Sequence, residues 1–451
     1  MKYVMATLMA MIVIFGVFTF LSGLDLTGAF ILLFQMDTTT FLSMFWHLVA
    51  FEIPRYALGF LTIAVTTVGQ RIVPTEIVPG ATGQWKVSVT IAGHNEAESL
   101  MKCLRSLDEQ TRKPDEIIVV DDGSTDGMRG ILDRLIREKR IHIGLCNQVR
   151  CGKAAAVNMA MAAATGDIII NLDADCSYDY NAIEFLLQPF SDPTVGATCG
   201  NVGVRNSHAT CITSWQAVEY LISINLGKRA LDLLDLVVCA SGAFGAFRAT
   251  ALRQVGFNES GPGEDFDLTM RLRRVGWKIR FVDVSWCMTD APEGVRGIIR
   301  QRRRWDRDTI RIRMRKFKDV FNPMRRRWNT KETLEQIDWM IFNLIGTIIF
   351  PVYLVWLFVT FGEGAWLLLI AIALVYMCLD CLGFLLAFAV AGRSSCPSMR
   401  SLFPFALTFG LYNGFFMRAV RFYAYAEEWL FLRSYRDSFV PQRVLNISTM
   451  Y

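Results

Sequence analysis

Apolar residues are concentrated at the two ends of this chain, and most of its charged residues lie between about positions 80 and 330. Long apolar runs cover residues 3–24 and 41–68 on one side, and residues 337–361 and 365–391 on the other. Each run has about 20 residues or more, the length that an α-helix needs to cross a bilayer. The pattern predicts a soluble domain between two pairs of membrane-spanning helices.

The connectors between these runs predict the orientation in the membrane. The connector after the fourth run contains Arg393 and Arg400, whereas the short connectors within each pair have neither Lys nor Arg. Positive connectors stay on the cytoplasmic side, so we expect a multi-pass protein of the inner or plasma membrane with a cytoplasmic soluble domain. Residues 402–416 predict either a fifth span or an interfacial helix. Glu52 and Arg55 in the second run either line a polar path or lie at the interface.

In the middle part, short apolar strands alternate with helical stretches, and polar residues follow the strands. Asn95 and Glu96 follow the first strand, and Asp121 and Asp122 end the second. Alternation of this kind predicts a doubly wound, mostly parallel α/β sheet, in which ligands bind beyond the carboxyl ends of the strands. Carboxylates at that edge can accept a hydrogen bond from a nucleobase or a ribose. The segment DDGSTD, residues 121–126, fits a plain turn without a ligand equally well.

The next segment combines a cation with two carboxylates. Gly152 and Lys153 open an alanine-rich helix, an arrangement that favours an anion. Asp173 and Asp175 end the following strand with their side chains on one side. The pair suits Mg²⁺ or Mn²⁺ bridging to a diphosphate.

Further along, Ser241 and Gly242 form a small-residue loop that permits close approach. Glu264 and Asp265 stand at the start of a predicted helix. A carboxylate there is either a helix cap or a general base that deprotonates an acceptor hydroxyl. For Asp265 the motifs around it favour the base.

Composition adds that the chain is unusually apolar, with 53% hydrophobic residues, and has a net charge of +5. Much of the positive charge lies between residues 296 and 327, which hold fourteen Lys or Arg against three Asp. Gln301, Arg304 and Trp305 share one helix face there, suited to a sugar ring and a phosphate. Most of the other cations are expected to contact anionic lipid headgroups, namely Arg311, Arg313, Arg315, Lys316 and Lys318.

The strings IAGHNE, VVDDGSTD, GKAAAVN, NLDAD, SGAFGAFR, GED and QRRRW occur in that order. Over about residues 85–310 the chain resembles membrane-embedded family 2 glycosyltransferases, the processive synthases of cellulose, hyaluronan, chitin oligosaccharides and poly-N-acetylglucosamine. The resemblance implies a glycosyltransferase-A fold, a UDP-sugar donor, Mg²⁺ or Mn²⁺, inversion at the anomeric carbon, and export of a β-linked glycan through the protein's own helices. The acidic motif, often TED in the family, is GED here.

The resemblance also implies site roles and a domain division. Asp265 would be the base beside Glu264, and Asp173 and Asp175 the metal pair. The nucleotide sugar would be bound by Asn95, Glu96, Asp121, Asp122, Lys153 and Asp173. The acceptor and diphosphate end would comprise Ser241, Gly242, Gln301, Arg304 and Trp305. The expected segments are spans in 1–72, the glycosyltransferase domain in 73–294, interfacial helices in 295–335, spans in 336–432 and a tail, a candidate gating segment, in 433–451.

The expected partners are the UDP-sugar, the growing glycan, membrane lipids and accessory export subunits, with no nucleic acid. A rival interpretation is a single transfer to a lipid, as in ceramide glucosyltransferase-like enzymes, which share these motifs. A third interpretation, an inactive scaffold or transport subunit, predicts a lost base or a broken metal pair. Both Asp265 and the Asp173–Asp175 pair are present, which argues against it.

Overall fold

The computed structural model describes residues 35, 37–47, 53–54, 57, 59–61, 85–259, 263–325, 328–391 and 399–436. The predicted first span, most of the second, Glu52, Arg55 and the tail beyond residue 436 lie outside these residues. The described part of the chain is an α/β domain followed by a group of long helices.

Eight strands form one sheet in the order β3-β2-β1-β4-β7-β6-β8-β5. The strands are β1 Val87–Gly93, β2 Glu116–Asp121, β3 Ile143–Cys146, β4 Ile168–Asp173, β5 Ser177–Tyr178, β6 Val195–Val204, β7 Phe244–Arg248 and β8 Lys278–Thr289. Strands β3, β2, β1 and β4 are parallel, and so are β6 and β8. Strand β7 runs antiparallel to both of its neighbours, and β5 runs antiparallel to β8.

The sheet is therefore mixed. Six strands run in one direction, as expected for a mostly parallel sheet, and β7 and β5 run in the opposite direction. The local pattern of β7 is that of any buried strand, since four of its five residues are buried. Its direction depends on where the preceding loop, which contains Ser241 and Gly242, leads the chain. Only the tertiary structure fixes that path.

The helices of the domain cover both faces of the sheet. Helix α1, Thr38–His47, precedes the domain, and its Phe45 packs with Leu357 and Leu368 of the later apolar runs. The helices of the domain are α2 Ala97–Asp108, α3 Met128–Arg137, α4 Lys153–Ala163, α5 Ala182–Leu187, α6 Cys211–Glu219, α7 Gly227–Leu233, α8 Ala249–Val255 and α9 Glu264–Arg274. Leu100 and Leu104 of α2 pack with Ile91 of β1, whereas Ala156 and Ala160 of α4 pack on the opposite side. Strands buried on both faces read as continuous apolar runs, which explains the pattern in the sequence.

The remaining helices follow the domain. They are α10 Val295–Ile310, α11 Thr330–Trp339, α12 Gly346–Phe361, α13 Gly364–Ala391, α14 Phe403–Leu411 and α15 Arg418–Phe431. Segments of π-helix join or extend several helices without a break, at Tyr220–Leu226, Arg311–Lys316, Met340–Ile345 and Tyr412–Met417.

Two helices in the described part of the chain are long and apolar enough to cross a membrane, Thr330–Phe361 and Gly364–Ala389. Val352, Val355 and Val359 on the first are each more than 60% exposed. Such a continuous uncovered apolar surface is typical of contact with lipid or another protein. Both helices coincide with the third and fourth apolar runs, and their insertion into a membrane remains a prediction.

The segment from α14 to α15 packs against the α/β domain. Phe405 and Phe409 of α14 are buried, and the indole N–H of Trp215 in α6 donates to Thr408 Oγ1 at 3.0 Å. The rings of Trp215 and Tyr412 stack with their centres 5.4 Å apart. This contact ties the C-terminal helices to the domain on the side of α6.

Candidate active site

The carboxylate of Asp122 holds the loop that leads into α4. Its Oδ1 accepts hydrogen bonds from Asn147 Nδ2 at 2.9 Å and from the backbone N–H of Cys151 at 2.7 Å. Its Oδ2 accepts from the N–H of Gly152 at 2.8 Å. Asp122 is buried, and these hydrogen bonds fix the shape of the loop that precedes α4. Direct contact with a nucleotide remains a prediction for this residue.

Asp121 and Asn95 join the first two strand ends into one folded edge. Asp121 Oδ1 accepts from the N–H of Ser124 at 2.9 Å, and Asn95 Oδ1 accepts from the N–H of Thr125 at 2.8 Å. Gly123, with φ +71°, lies so close to the next loop that a Cβ would be 2.7 Å from the backbone nitrogen of Arg150. The segment DDGSTD therefore forms a turn, and the same turn lines one side of the candidate site.

Five of the predicted residues converge beyond the end of β4. Lys153 Nζ, at the start of α4, lies 2.5 Å from Asp173 Oδ1 and 4.0 Å from Glu264 Oε1. A Cβ on Gly242 would lie 3.3 Å from Asp265 Oδ2 and 3.5 Å from Lys153 Nζ. Residues from four separate elements therefore surround one cation, and because Gly242 has no side chain, Asp265 and Lys153 can approach its backbone closely.

The electrostatics of this cluster are dominated by negative charge. Burial, and after it the charges of Asp175 and Asp173, raise the pKa of Glu96 to about 7. Burial and the charge of Asp173 also raise the pKa of Asp175. Burial lowers the pKa of Lys153, but Asp173 and Glu264 outweigh it and the net pKa is raised, so Lys153 remains charged.

The site fits a divalent cation that is shared with a substrate. Among the described residues, no three His, Cys, Asp or Glu side chains come together as a metal cage. Mg²⁺ at phosphate sites commonly takes only one or two carboxylates and completes its shell with phosphates and water. Asp173 and Asp175 supply that number, and their mutual repulsion would be relieved by a cation.

Asp265 lies in the first turn of α9, and each of its two carboxylate oxygens accepts a hydrogen bond from a backbone N–H. Its Oδ2 accepts from the N–H of Gly242 at 2.8 Å, and its Oδ1 accepts from the N–H of Phe266 at 2.8 Å. The residue before this pair, Gly263, has φ +74°, and a Cβ there would lie 2.9 Å from Ile312 Cδ1. The turn that presents Glu264 and Asp265 is therefore packed directly against the extension of α10.

QRRRW lies on α10, and its residues point in different directions. Arg302 Nη2 donates to Glu219 Oε2 at 2.8 Å, and Arg303 makes a two-pronged contact with Glu427 at 2.7 and 2.8 Å. Trp305 is 37% exposed. In the described part of the chain, no hydrogen bond or ion pair joins Gln301, Arg304 or Trp305 to the carboxylate cluster. Their roles toward an acceptor remain predictions.

The expectation that the basic segment after QRRRW contacts lipid headgroups is wrong for most of its residues. Arg313 bonds to Glu335 at 2.8 Å and to Gln336 at 2.6 Å, Arg315 pairs with Glu428, and Lys316 pairs with Asp267. Arg311 is 8% exposed. Because the partners come from α9, α11 and α15, the sequence of the segment alone cannot show that its charges are neutralised internally. Lys318 is exposed.

Glu219 is a residue that the sequence analysis missed. It lies at the end of α6, where it binds Arg302 and accepts a hydrogen bond from the hydroxyl of Tyr412 at 3.3 Å. The available signal was an isolated acidic residue within the apolar helical segment WQAVEYLISINLG. An ionisable side chain in such surroundings usually has a partner of opposite charge.

Comparison with known proteins gives matches over the α/β domain. The family model described as Glycosyl transferase family 2 matches residues 88–256. The poly-beta-1,6-N-acetyl-D-glucosamine synthase of Staphylococcus aureus (strain COL) is 29% identical over 233 residues, 51% of this chain and 56% of that protein. The synthase of the same name from Staphylococcus epidermidis is 28% identical over 233 residues, with the same shares covered. The chain spans about half the length of these curated relatives.

A solved structure is similar in fold. The mannosyltransferase PcManGT from Pyrobaculum calidifontis, solved in complex with GDP-Man and Mn²⁺, has a TM-score of 0.50 and is 18% identical. The match covers 84% of this chain and 97% of that one. At this identity the similarity concerns the fold, which is an α/β fold of the glycosyltransferase-A type.

Proposed function

We propose that this chain, whose residues 88–256 form a glycosyl transferase family 2 domain, polymerises a β-linked polysaccharide from a UDP-sugar. The observation that carries the proposal is the convergence of Asp173, Gly242, Glu264 and Asp265 around the ammonium group of Lys153. A cation, a metal-type carboxylate and a fixed candidate base are the groups that glycosyl transfer from a diphosphate donor requires.

UDP-N-acetylglucosamine is the first candidate donor. The relatives reported above are poly-beta-1,6-N-acetyl-D-glucosamine synthases, and they are aligned over 51% of this chain. The folded edge formed by Asn95, Asp121 and Asp122 would receive the nucleoside, with Glu96 near the metal pair. The backbone amides of Cys151 and Gly152 donate to Asp122 and so fix the loop before α4. The start of α4, with Lys153, would then face the diphosphate.

In the reaction, the bond between the anomeric carbon and the diphosphate oxygen breaks while the acceptor oxygen bonds to that carbon from the opposite face. Asp265 accepts the proton of the acceptor hydroxyl, and its position is fixed by the N–H of Gly242. Lys153 compensates negative charge at Asp173 and Glu264, and so keeps the pocket able to receive a diphosphate. The electron pair leaves with the UDP.

A divalent cation, Mg²⁺ or Mn²⁺, held by Asp175 and Asp173 would neutralise the charge that develops on the departing diphosphate. The acceptor end is assigned to Ser241, Gly242, Gln301, Arg304 and Trp305. Trp305 would stack on the terminal sugar ring of the glycan.

The long apolar helices support an integral membrane protein whose α/β domain lies at the cytoplasmic face. They would contact membrane lipids and, together with segments outside the described residues, form a path for a processively growing glycan. Accessory export subunits are candidate partners.

The alternative is a single transfer to a membrane lipid, favoured by the fact that the described part contains two helices of membrane-spanning type.

A product assay tests the proposal and separates the alternatives. Purified protein is incubated with each of a panel of UDP-sugars and Mn²⁺ or Mg²⁺, while UDP release and product size are measured. A ladder or long polymer supports the synthase, and a product with one sugar on a lipid supports the alternative. UDP release no faster than that of an Asp265→Asn variant with every donor would refute both.

A further inference from the structure

The arginine that lies three residues before Trp305 is buried and carries two different contacts. Arg302 is 9% exposed, and its Nη2 donates to Glu219 Oε2 at 2.8 Å. Its guanidinium carbon lies 4.6 Å from the centre of the Trp305 ring. Arg302 therefore connects a carboxylate at the end of α6 to the exposed tryptophan of QRRRW.

Tyr412 extends this connection to the C-terminal helices. Its hydroxyl donates to the same oxygen, Glu219 Oε2, at 3.3 Å. Its ring stacks on Trp215 of α6 with centres 5.4 Å apart and planes inclined by 20°. The polar chain therefore runs from Tyr412 through Glu219 and Arg302 to Trp305, across three helical segments.

The physical consequence is that one face of Trp305 depends on Glu219. A buried guanidinium needs a partner, because leaving it unpaired costs far more than the pair itself contributes. Held by Glu219, Arg302 covers one side of the indole through a cation–π contact and restricts the ring to one orientation. Trp305 is still 37% exposed, so part of the ring remains available to a sugar.

We propose that Glu219 and Tyr412 are positioning residues of the acceptor site, acting on Trp305 through Arg302. Neither residue touches the reacting atoms. Glu219 holds the guanidinium group of Arg302, and Arg302 holds the indole ring of Trp305. Tyr412 connects Glu219 to the segment between α14 and α15. The inference rests on the proposed function for the role of Trp305, and on the contacts above for its orientation.

Steady-state kinetics test the role in transfer. The variants are Glu219→Gln, which removes the charge at constant size, Tyr412→Phe, which removes one hydroxyl, and Glu219→Asp as the conservative replacement. With UDP-N-acetylglucosamine and β-linked N-acetylglucosamine oligosaccharides, Glu219→Gln should raise the acceptor KM by about tenfold, as expected for one lost charge-assisted hydrogen bond. The donor KM should change by less than about twofold, Glu219→Asp should recover part of the loss, and Tyr412→Phe should have a smaller effect in the same direction.

Glu427→Gln is the matched control. Glu427 pairs with Arg303, the next residue of the same helix, but Arg303 lies over Tyr423 and not over Trp305. The acceptor KM of Glu427→Gln should stay within about twofold of the wild-type value, because Arg303 lies over Tyr423 and does not hold Trp305. An equal increase in both variants, or an equal increase in donor and acceptor KM for Glu219→Gln, overturns the proposal.

A readout that needs no turnover separates this inference from the proposed function. In protein labelled with 5-fluorotryptophan, Trp305→Phe identifies the ¹⁹F resonance of Trp305. Glu219→Gln and Tyr412→Phe should shift that resonance, and Glu427→Gln should leave it in place. A shifted resonance in a protein that transfers no sugar would mean that the contacts are correct and the proposed function is wrong. An unshifted resonance overturns the positioning role whatever the activity.

Discussion

At the scale of single residues, the site is defined by carboxylates that are fixed in different ways. Asp122 is held by three donors of one loop, Asp173 by Lys153, and Asp265 by the N–H of Gly242. Polar groups placed like this keep their geometry without substrate, which is the condition for stabilising a transition state efficiently. Each can be tested by a substitution that preserves size.

Asp265→Asn should reduce sugar transfer by roughly a hundredfold to ten-thousandfold, because an amide cannot accept the acceptor's proton. The amide oxygen still accepts from the N–H of Gly242, so the loop should keep its shape and UDP-sugar affinity should be preserved. Transfer is followed by UDP release, and affinity by calorimetric titration. Substantial remaining turnover would rule out Asp265 as the base.

Asp232 in α7, away from the site, should make the stability of the protein depend on pH. Burial raises its pKa from 3.8 to about 6, against the lowering effects of Arg280 and the N–H of Phe281. A raised pKa means that the stability contribution of Asp232 is complete below pH 3.8 and is lost as the pH rises through about 6. Asp232→Asn should remove this loss, which amounts to at most roughly 3 kcal/mol.

The measurement is urea unfolding of both proteins from about pH 4 to about pH 7, which spans the window. The free energy of unfolding of the wild type should fall relative to Asp232→Asn across that range. Asp235→Asn is the control, since Asp235 also faces Arg280 but its side chain is 47% exposed. Parallel pH profiles of wild type and Asp232→Asn would contradict the prediction.

At the scale of elements, the contact between α9 and the extension of α10 connects the candidate base to the helices that follow the domain. Lys316 pairs with Asp267 of α9 at 2.5 Å, and Arg273 of α9 pairs with Glu332 of α11 at 3.4 Å. Gly263 lies at the start of α9, where a Cβ would be 2.9 Å from Ile312 Cδ1. The basic segment therefore acts as an internal connection between helices.

Gly263→Ala should destabilise the protein and impair transfer. The added methyl group meets Ile312 Cδ1 at 2.9 Å and Asp308 Cβ at 3.0 Å, in addition to the strain of φ +74°. Gly127→Ala is a matched control, because Gly127 also precedes a helix with positive φ, +84°, but a Cβ there meets nothing within 4 Å. The control should lose about 1–2 kcal/mol from backbone strain alone.

Gly263→Ala should lose more than the control in thermal unfolding, and it alone should show a large drop in transfer rate, since the turn bearing Glu264 and Asp265 must move. Equal loss of stability and unchanged transfer in both variants would show that the contact with α10 does not position the base.

At the scale of the whole molecule, an α/β domain of glycosyltransferase-A type is combined with two long apolar helices. Val352, Val355 and Val359 on Thr330–Phe361 are exposed, whereas Glu428, which pairs with Arg315, is 0% exposed. Apolar surface of this extent is unfavourable in water by about 25 cal/mol per Å². This exposed apolar surface is what the predicted insertion into a bilayer would cover.

The whole chain should remain in the membrane pellet after extraction with alkaline carbonate and should need detergent for release. Insertion of the apolar helices is the reason, since carbonate removes proteins that are held by surface charge alone. Arg311, Arg313, Arg315 and Lys316 contribute little to membrane binding if they are paired internally, so high salt should not release the protein either. Recovery of the chain in the carbonate supernatant would contradict insertion.

The amino-acid sequence by itself determined the α/β alternation, the positions of the apolar helices and the residue types of the site, because these depend on periodicity and on short local motifs. Lys153, Asp173, Gly242, Glu264 and Asp265 were all predicted, and the structure brings them together. Only the tertiary structure decided the reversed direction of β7, the internal pairing of the basic segment and the contact of Glu219 with Arg302. Each of these depends on partners far apart in the chain, and no local pattern specifies which distant charge or strand edge will meet another.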